Sequence, residues 1–177
     1  MNTHGQRHCL MESWRHLGVF LAIFLAPISH TLGRQKPFEI HISALHDTFK
    51  SGAKIDIAVN LTNTSDKPVL LRGACAPKGD FDGFTVEVKD IQNNVSPETH
   101  LLRVERGEET ARPDDIWTWS GPICGTVPPH EFSNGGFVVN RLYDMVKPGK
   151  YTIQVQRKDT YSKMIVKSNM ITVTVTP

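Results

Sequence analysis

Two stretches near the C-terminal end of this 177-residue chain restrict its fold most. In the first, Tyr151, Ile153 and Val155 alternate with Thr152, Gln154 and Gln156; in the second, Ile171, Val173 and Val175 alternate with Thr172, Thr174 and Thr176. Successive side chains of a strand point to opposite faces, so each stretch predicts a half-buried strand with one wet face. Pro148-Gly149 supplies the turn that starts the first strand, after a short turn or helical tip from Leu142. The two strands predict a hairpin. A hairpin alone buries too little apolar surface to be stable, so a second sheet must cover it.

The same period recurs upstream. Phe38, Ile40 and Ile42 face inward on a first strand, and residues 46–50 are expected to continue its pairing after a bend. Ser51-Gly52 marks a turn. Residues 53–64 form the longest predicted strand, with Ile55, Ile57, Val59 and Leu61 inward and Lys54, Asp56, Ala58 and Asn60 outward. A turn at 65–68 precedes a short strand at 69–72, residues 73–83 are loop, and Phe84, Val86 and Val88 face inward on another strand. Residues 90–94 turn the chain. Residues 99–104 are expected to form a weaker strand, because their apolar residues are adjacent and do not alternate. Residues 105–130 are charged, contain Pro113, Pro122, Pro128 and Pro129, and predict a long loop that is either functional or loosely held. A last strand lies around Phe137-Val138-Val139. Seven or eight short strands without a sustained helical period predict an all-β, antiparallel β-sandwich, with a closed barrel as the competing arrangement.

The N-terminal segment is different. Arg7, Arg15 and His16 precede an apolar run, Leu17 to Ala26, which Pro27 stops. About ten apolar residues fit a signal-peptide core, a signal helix ahead of the sandwich, and fall short of a bilayer of roughly 30 Å. Thr31 and Gly33 place cleavage after Gly33; an uncleaved anchor is the other reading. The expected division is therefore 1–33 as signal peptide and 34–177 as one domain. Residues 1–33 hold two of the 20 basic and one of the 18 acidic residues, so residues 34–177 carry 18 against 17, a net charge of +1. That balance gives no electrostatic footprint for nucleic acid or an anionic membrane, so membrane contact is expected only through an uncleaved signal. The expected place is periplasmic or secreted.

Cys75 and Cys124 are the cysteines of the 34–177 region. In an oxidising compartment the two predict a disulfide, worth about 4 kcal/mol for a loop of roughly 50 residues in the chain-entropy picture. Two buried free thiols are the alternative.

The phrases VNLTNTSDKPVLL (59–71), LYDMVKPGKYTIQVQR (142–157) and VKSNMITVTV (166–175) resemble immunoglobulin-like sandwich domains of exported bacterial proteins, and more loosely an all-β proteinase-inhibitor family. The resemblance implies a sandwich for most of residues 34–177. It also implies a structural role for Pro148, Gly149 and Tyr151, because Tyr151 soon after Pro148 is similar to the tyrosine corner of such domains. Cys75 and Cys124 fall in predicted loops, unlike the sheet-to-sheet pair of antibody-type domains.

Trp117 and Trp119 flank Thr118 and share a face if the segment is extended. Beside Asp114, Asp115 and Ser120 they could stack on a sugar ring or a partner's apolar patch, or else cover the edge of the core. Asp80-Phe81-Asp82-Gly83 has the opening of a calcium loop but no later carboxylate at the required spacing. His41, His46, His100 and His130 show no metal spacing and read as surface residues. Glu105, Glu108 and Glu109 read as a solvated charge cluster, not a catalytic pair. Asn60, Asn63 and Asn94 each begin a glycosylation acceptor triplet. No G-x-S-x-G and no phosphate loop occurs. The sequence thus predicts a non-enzymatic, exported binding or structural module without cofactor or metal. Its partner is expected to be an envelope protein or polysaccharide, and its contacts to lie on residues 105–131. A secreted proteinase inhibitor and a carbohydrate-binding module are the alternatives.

Overall fold

The alternating residues of 149–176 form the paired strands that their period predicts. A computed structural model describes residues 35–71, 83–113, 115, 119–120 and 125–177, with the backbone alone at 119–120. In it β9 (Gly149–Lys158) and β10 (Ile165–Thr176) run antiparallel, and Tyr151, Ile153, Val155, Val173 and Val175 are buried. The other strands are β1 (Phe38–Ala44), β2 (Thr48–Lys50), β3 (Asp56–Asn63), β4 (Val69–Leu71), β5 (Phe84–Asp90), β6 (Trp119–Ser120), β7 (Gly125–Val127) and β8 (Phe132–Val138). Two short helices, α1 (His100–Glu105) and α2 (Val139–Leu142), complete the described elements.

Two four-stranded sheets face each other. The first has the order β1-β3-β8-β6 and the second β2-β10-β9-β5; β4 and β7 form a separate small ladder. Between the sheets lies one apolar cluster containing Phe38, Ile42, Ile57, Leu61, Val88 and Ile153, each at most 2 % exposed. The chain folds as an all-β, immunoglobulin-like β-sandwich, and the sheets do not close into a barrel. Fully burying aliphatic side chains of this size is worth roughly 1.5–3 kcal/mol each, which makes this cluster the main source of stability.

Four expectations need correction. Residues 46–50 do not continue the pairing of β1: β2 crosses to the second sheet and pairs parallel with β10, Thr174 opposite Thr48 and Thr176 opposite Lys50. Residues 99–104 are not a strand. Thr99 caps α1, its hydroxyl accepting from Leu102 N, and the adjacent Leu101 and Leu102 are both buried because a helix can turn two neighbours toward one core. Residues 105–130 are not one loop, since β6 joins the first sheet and β7 pairs with β4. Glu105 is not solvated but only 6 % exposed. The signal segment, residues 1–33, lies outside the described residues.

Asparagine side chains bind the places where strands end. Asn63, 1 % exposed, donates from Nδ2 to the carbonyls of Lys67, Val127 and Pro128 at 2.8–2.9 Å and accepts at Oδ1 from Ser65 N. Asn140 accepts from Ile55 N (3.0 Å) and donates to Ala53 O (2.8 Å). Asn169 accepts from Ile42 N (2.8 Å) and donates to Ile42 O (2.9 Å). A glycine is required in β8 for a different reason: a Cβ on Gly136 would sit 2.7 Å from Ile57 O. Removing the Asn63 amide leaves three carbonyls without their donor. Asn63→Ala is therefore expected to lower stability by about 2–4 kcal/mol, whereas Asn60→Ala, on the wet face of β3, changes it by about 0.5 kcal/mol or less; denaturant unfolding of both variants checks the contrast.

Candidate functional site

The described side chains that gather most charge lie on α1 and the segment after it. Helix α1 stops at Gly107, whose φ of +75° suits the left-handed position after a helix end, with Gly107 N donating to Val104 O at 2.9 Å. The reversal turns residues 108–115 back along the helix, and Glu108 N and Glu109 N both donate to Arg103 O.

The side chains complete that fold-back. His100 Nδ1 and Arg103 Nε both meet the Glu109 carboxylate. His100 Nε2 lies 3.4 Å from Asp115 Oδ2, near enough for an ion pair but not aligned for a hydrogen bond. Asp115 Oδ2 itself accepts from Arg112 N at 2.7 Å. Arg106 Nη1 contacts both carboxylate oxygens of Glu98 at 2.8 Å, and Arg103 Nη1 donates to Glu98 O at 2.9 Å. Arg103, and then His100, hold the Glu109 carboxyl below the usual carboxylate range. Pairs this exposed are individually weak, so the network is a tether for the segment and not a source of global stability.

The predicted site residues divide as follows. Asp115 joins the α1 cluster. The backbone of Trp119 lies opposite Phe137 at the edge of the first sheet. Trp117, Asp114, the Asp80–Asp82 turn, Cys75 and Cys124 lie outside the described residues. The β4–β7 ladder ends with Leu71 opposite Gly125, so Cys75 follows one end by four residues and Cys124 precedes the other by one. His41 and His46 are exposed, and His130 meets Asp66 at 3.1 Å on the surface. His100 is the exception among the histidines: its side chain is only 19 % exposed. Of the three glycosylation triplets, that of Asn63 is buried and its amide fully engaged.

At the other end of α2 the chain turns a corner before β9. Tyr151 donates its phenol proton to Lys147 O at 2.8 Å, spanning Pro148 and Gly149. Tyr143 donates likewise to Val86 O at 2.5 Å. Burial raises the pKa of both phenols, keeping them protonated donors. A cleft of about 150 Å³ beside this corner is lined by Lys50, Ala53, Thr99, Asn140, Asp144 and Val146 among others. Drug-sized ligands occupy about 300–1,000 Å³, so it is small for an enclosed ligand.

No family model matches this chain, and no curated protein matches it. Solved structures do. A FixG-related protein from Vibrio parahaemolyticus is similar at 11 % identity and a TM-score of 0.38, covering 81 % of this chain and 100 % of its own. The E. coli chaperone DraB is similar at 14 % identity and a TM-score of 0.37, covering 79 % of this chain and 55 % of its own. The seventh PapD-like domain of human CEP192 is similar at 12 % identity and a TM-score of 0.27, covering 91 % and 94 %. The sandwich assignment stands on this chain's own strand order. Among the described residues no helix is long and apolar enough to cross a membrane, and no three metal-binding side chains converge.

Sequence reading missed the α1 cluster and Arg157. The latter is 2 % exposed, lies 4.7 Å over the Phe84 ring and donates from Nη2 to Leu70 O at 2.7 Å, which joins β4 to the second sheet. The available signal for the cluster was the spacing of His100, Arg103 and Glu109, which becomes meaningful only when Gly107 is placed at a helix end. Because the folded pKa of Glu109 lies below its unfolded value of about 4.3, its contribution is present above that pH and lost as pH falls through the lower folded value. Glu109→Gln is therefore expected to speed hydrogen exchange of the Glu108 and Glu109 amides at pH 7, while the wild type keeps their protection until the pH drops below the ordinary carboxylate range. Exchange measured by NMR across pH 3–7 checks this; equal protection in the two proteins at pH 7 would refute the tether.

Proposed function

We propose that the chain is an exported, non-catalytic binding or structural module that works in the periplasm or outside the cell and makes its contacts through residues 105–131. The observation that carries this reading is how that segment is held. Its start is tied to α1 through Glu109 and Asp115, its middle pairs at Trp119–Ser120 with β8, and its end pairs at Gly125–Val127 with β4. Fixing a long segment at three separated points lowers the ordering cost of recognising a partner through it.

Trp117 and Trp119 are the anchors in this reading, with Asp114 and Asp115 as polar neighbours. A disulfide between Cys75 and Cys124 would brace the same segment; what supports it is that the β4–β7 ladder pairs Leu71, four residues before Cys75, with Gly125, one residue after Cys124. The modest cleft among the described residues favours contact over an exposed surface, and the partner in this reading is an envelope protein or polysaccharide. Export rests on the apolar run of residues 17–26 and the small residues before position 34.

Two outcomes are expected. Trp117→Ala with Trp119→Ala abolishes capture of partners from an envelope fraction while leaving the unfolding transition in place; undiminished capture would remove the reading. Protein purified without reductant from the exported fraction begins at Arg34 and is lighter than the dithiol form by two hydrogens, which intact mass spectrometry reads directly.

A further inference from the structure

His100 stands at the start of α1, on the side that residues 108–115 fold back over. Its side chain is 19 % exposed and that of Asp115 17 %, so both lie further from water than the Arg103–Glu109 and Arg106–Glu98 pairs. Both ring nitrogens of His100 face carboxylate oxygens. Nδ1 meets Glu109, and Nε2, which has no hydrogen-bond partner among the described residues, lies 3.4 Å from Asp115 Oδ2.

Ionised carboxylates only accept. A neutral imidazole carries one N–H and one lone pair, so either tautomer sets a lone pair against one of the two carboxylates. An imidazolium presents an N–H and positive charge to both. The arrangement therefore suits the protonated ring. The two carboxylates do not depend on it equally. Glu109 also meets Arg103 Nε, and a guanidinium stays charged at any pH a folded protein meets. Asp115 is otherwise held by Arg112 N at 2.7 Å, a bond internal to the segment that does not tie it to α1. The remaining charged groups on the elements packed here are Glu105, buried on α1; Glu98, paired with Arg106; Glu108, exposed; and Arg141 on α2, whose carbonyl accepts from Thr99 Oγ1.

We propose that the proton on His100 is a catch that fastens the Asp115 end of this segment to α1. With the ring charged, Asp115 docks beside it. With the ring neutral, a largely buried carboxylate has lost its cation and moves toward water, while Glu109 stays with Arg103. Imidazole is the side chain whose charge ordinarily changes between about pH 5 and 8, so the catch closes on the acid side of that range and opens on the alkaline side. The sign is opposite to that of Glu109, whose contribution is lost as pH falls below the carboxylate range. Both fastenings hold only between the two limits. Trp117 and Trp119 follow Asp115 by two and four residues, so the catch would regulate the stretch proposed for contacts. That consequence rests on the reading of residues 105–131 as the contact segment, whereas the catch itself is observable on the segment and needs no partner.

NMR of the isotopically labelled full chain across about pH 5–9 tests the proposal. The Arg112 and Asp115 amide signals move along a single-proton curve that coincides with the curve of the His100 ring. Protection of the Asp115 amide, taken against the unstructured exchange rate at each pH, falls about fivefold on the alkaline side, near the upper end for one ion pair. Protection of the Glu109 amide does not fall. His100→Gln, which keeps a donor but never charges, holds the alkaline positions of Arg112 and Asp115 at every pH. Asp115→Asn leaves His100 titrating and flattens the Arg112 curve. The proposal is overturned if Arg112 and Asp115 do not respond where His100 titrates, or if they respond equally in His100→Gln. The double tryptophan variant keeps this titration whether or not it captures a partner, so the catch and the contact reading fail separately.

Discussion

Backbone N–H and C=O groups must find partners wherever a strand leaves its sheet, and in this molecule asparagine side chains provide them. A primary amide offers the same donor and acceptor as a peptide group, so it can stand in for a missing neighbour strand. Asn169 does this for Ile42, Asn140 for Ala53 and Ile55, and Asn63 for the turn and strand ends around Lys67 and Val127. The Asn169 bridge has the largest consequence. The first strand starts in one sheet and β2 belongs to the other, so the edge of β1 runs beside β10 where a continuous ladder would join the two layers. The register of β10 shifts between Lys167 and Met170, and Asn169 reaches across from that shift. Side-chain bonds at Ile42 satisfy the edge while the sheets stay open as a sandwich.

Around that frame, each corner is fastened by a group whose polar end meets a backbone carbonyl. Tyr151 closes the turn into β9, Tyr143 holds α2 against β5, and Arg157 joins β4 to the second sheet. The apolar bodies of these residues lie in the core and their polar tips are bonded, so none of them leaves a buried polar group without a partner. Residues 108–115 are tied to α1 by exposed ion pairs that salt and pH can loosen, whereas Trp119–Ser120 and Gly125–Val127 are held by strand pairing.

The strands were legible because burial on one face writes a two-residue period. All the residues expected inward on β1 and β3 are buried, and the hairpin of β9 and β10 pairs with Thr172 opposite Thr152. Where the period failed, the reading failed. Leu101-Leu102 breaks the alternation and reads as a weak strand, although adjacent apolar residues after a capping Thr99 suit one turn of helix. The crossing of β2 was invisible because three residues cannot reveal which sheet they join. The asparagine bridges were illegible for another reason: an asparagine in an acceptor triplet or near a turn has the same local sequence whether its amide meets solvent or a distant backbone. Of the residues that the sequence singles out for binding, Asp115 and the backbone of Trp119 lie among the described ones. The partners that hold them, His100 and Phe137, are distant in sequence and emerge only from the fold.

The central claim is that side-chain amides do the work of a neighbouring strand at the seams. Native-state hydrogen exchange of the Ile42 and Ile55 amides addresses it most directly. Both amides are expected to exchange as slowly as the ladder amides of Val59 and Ile153, and Asn169→Ala should accelerate Ile42 while leaving Ile55 protected. Exchange of Ile42 and Ile55 in the wild type at the rate of exposed turns such as Gln92 would contradict the account.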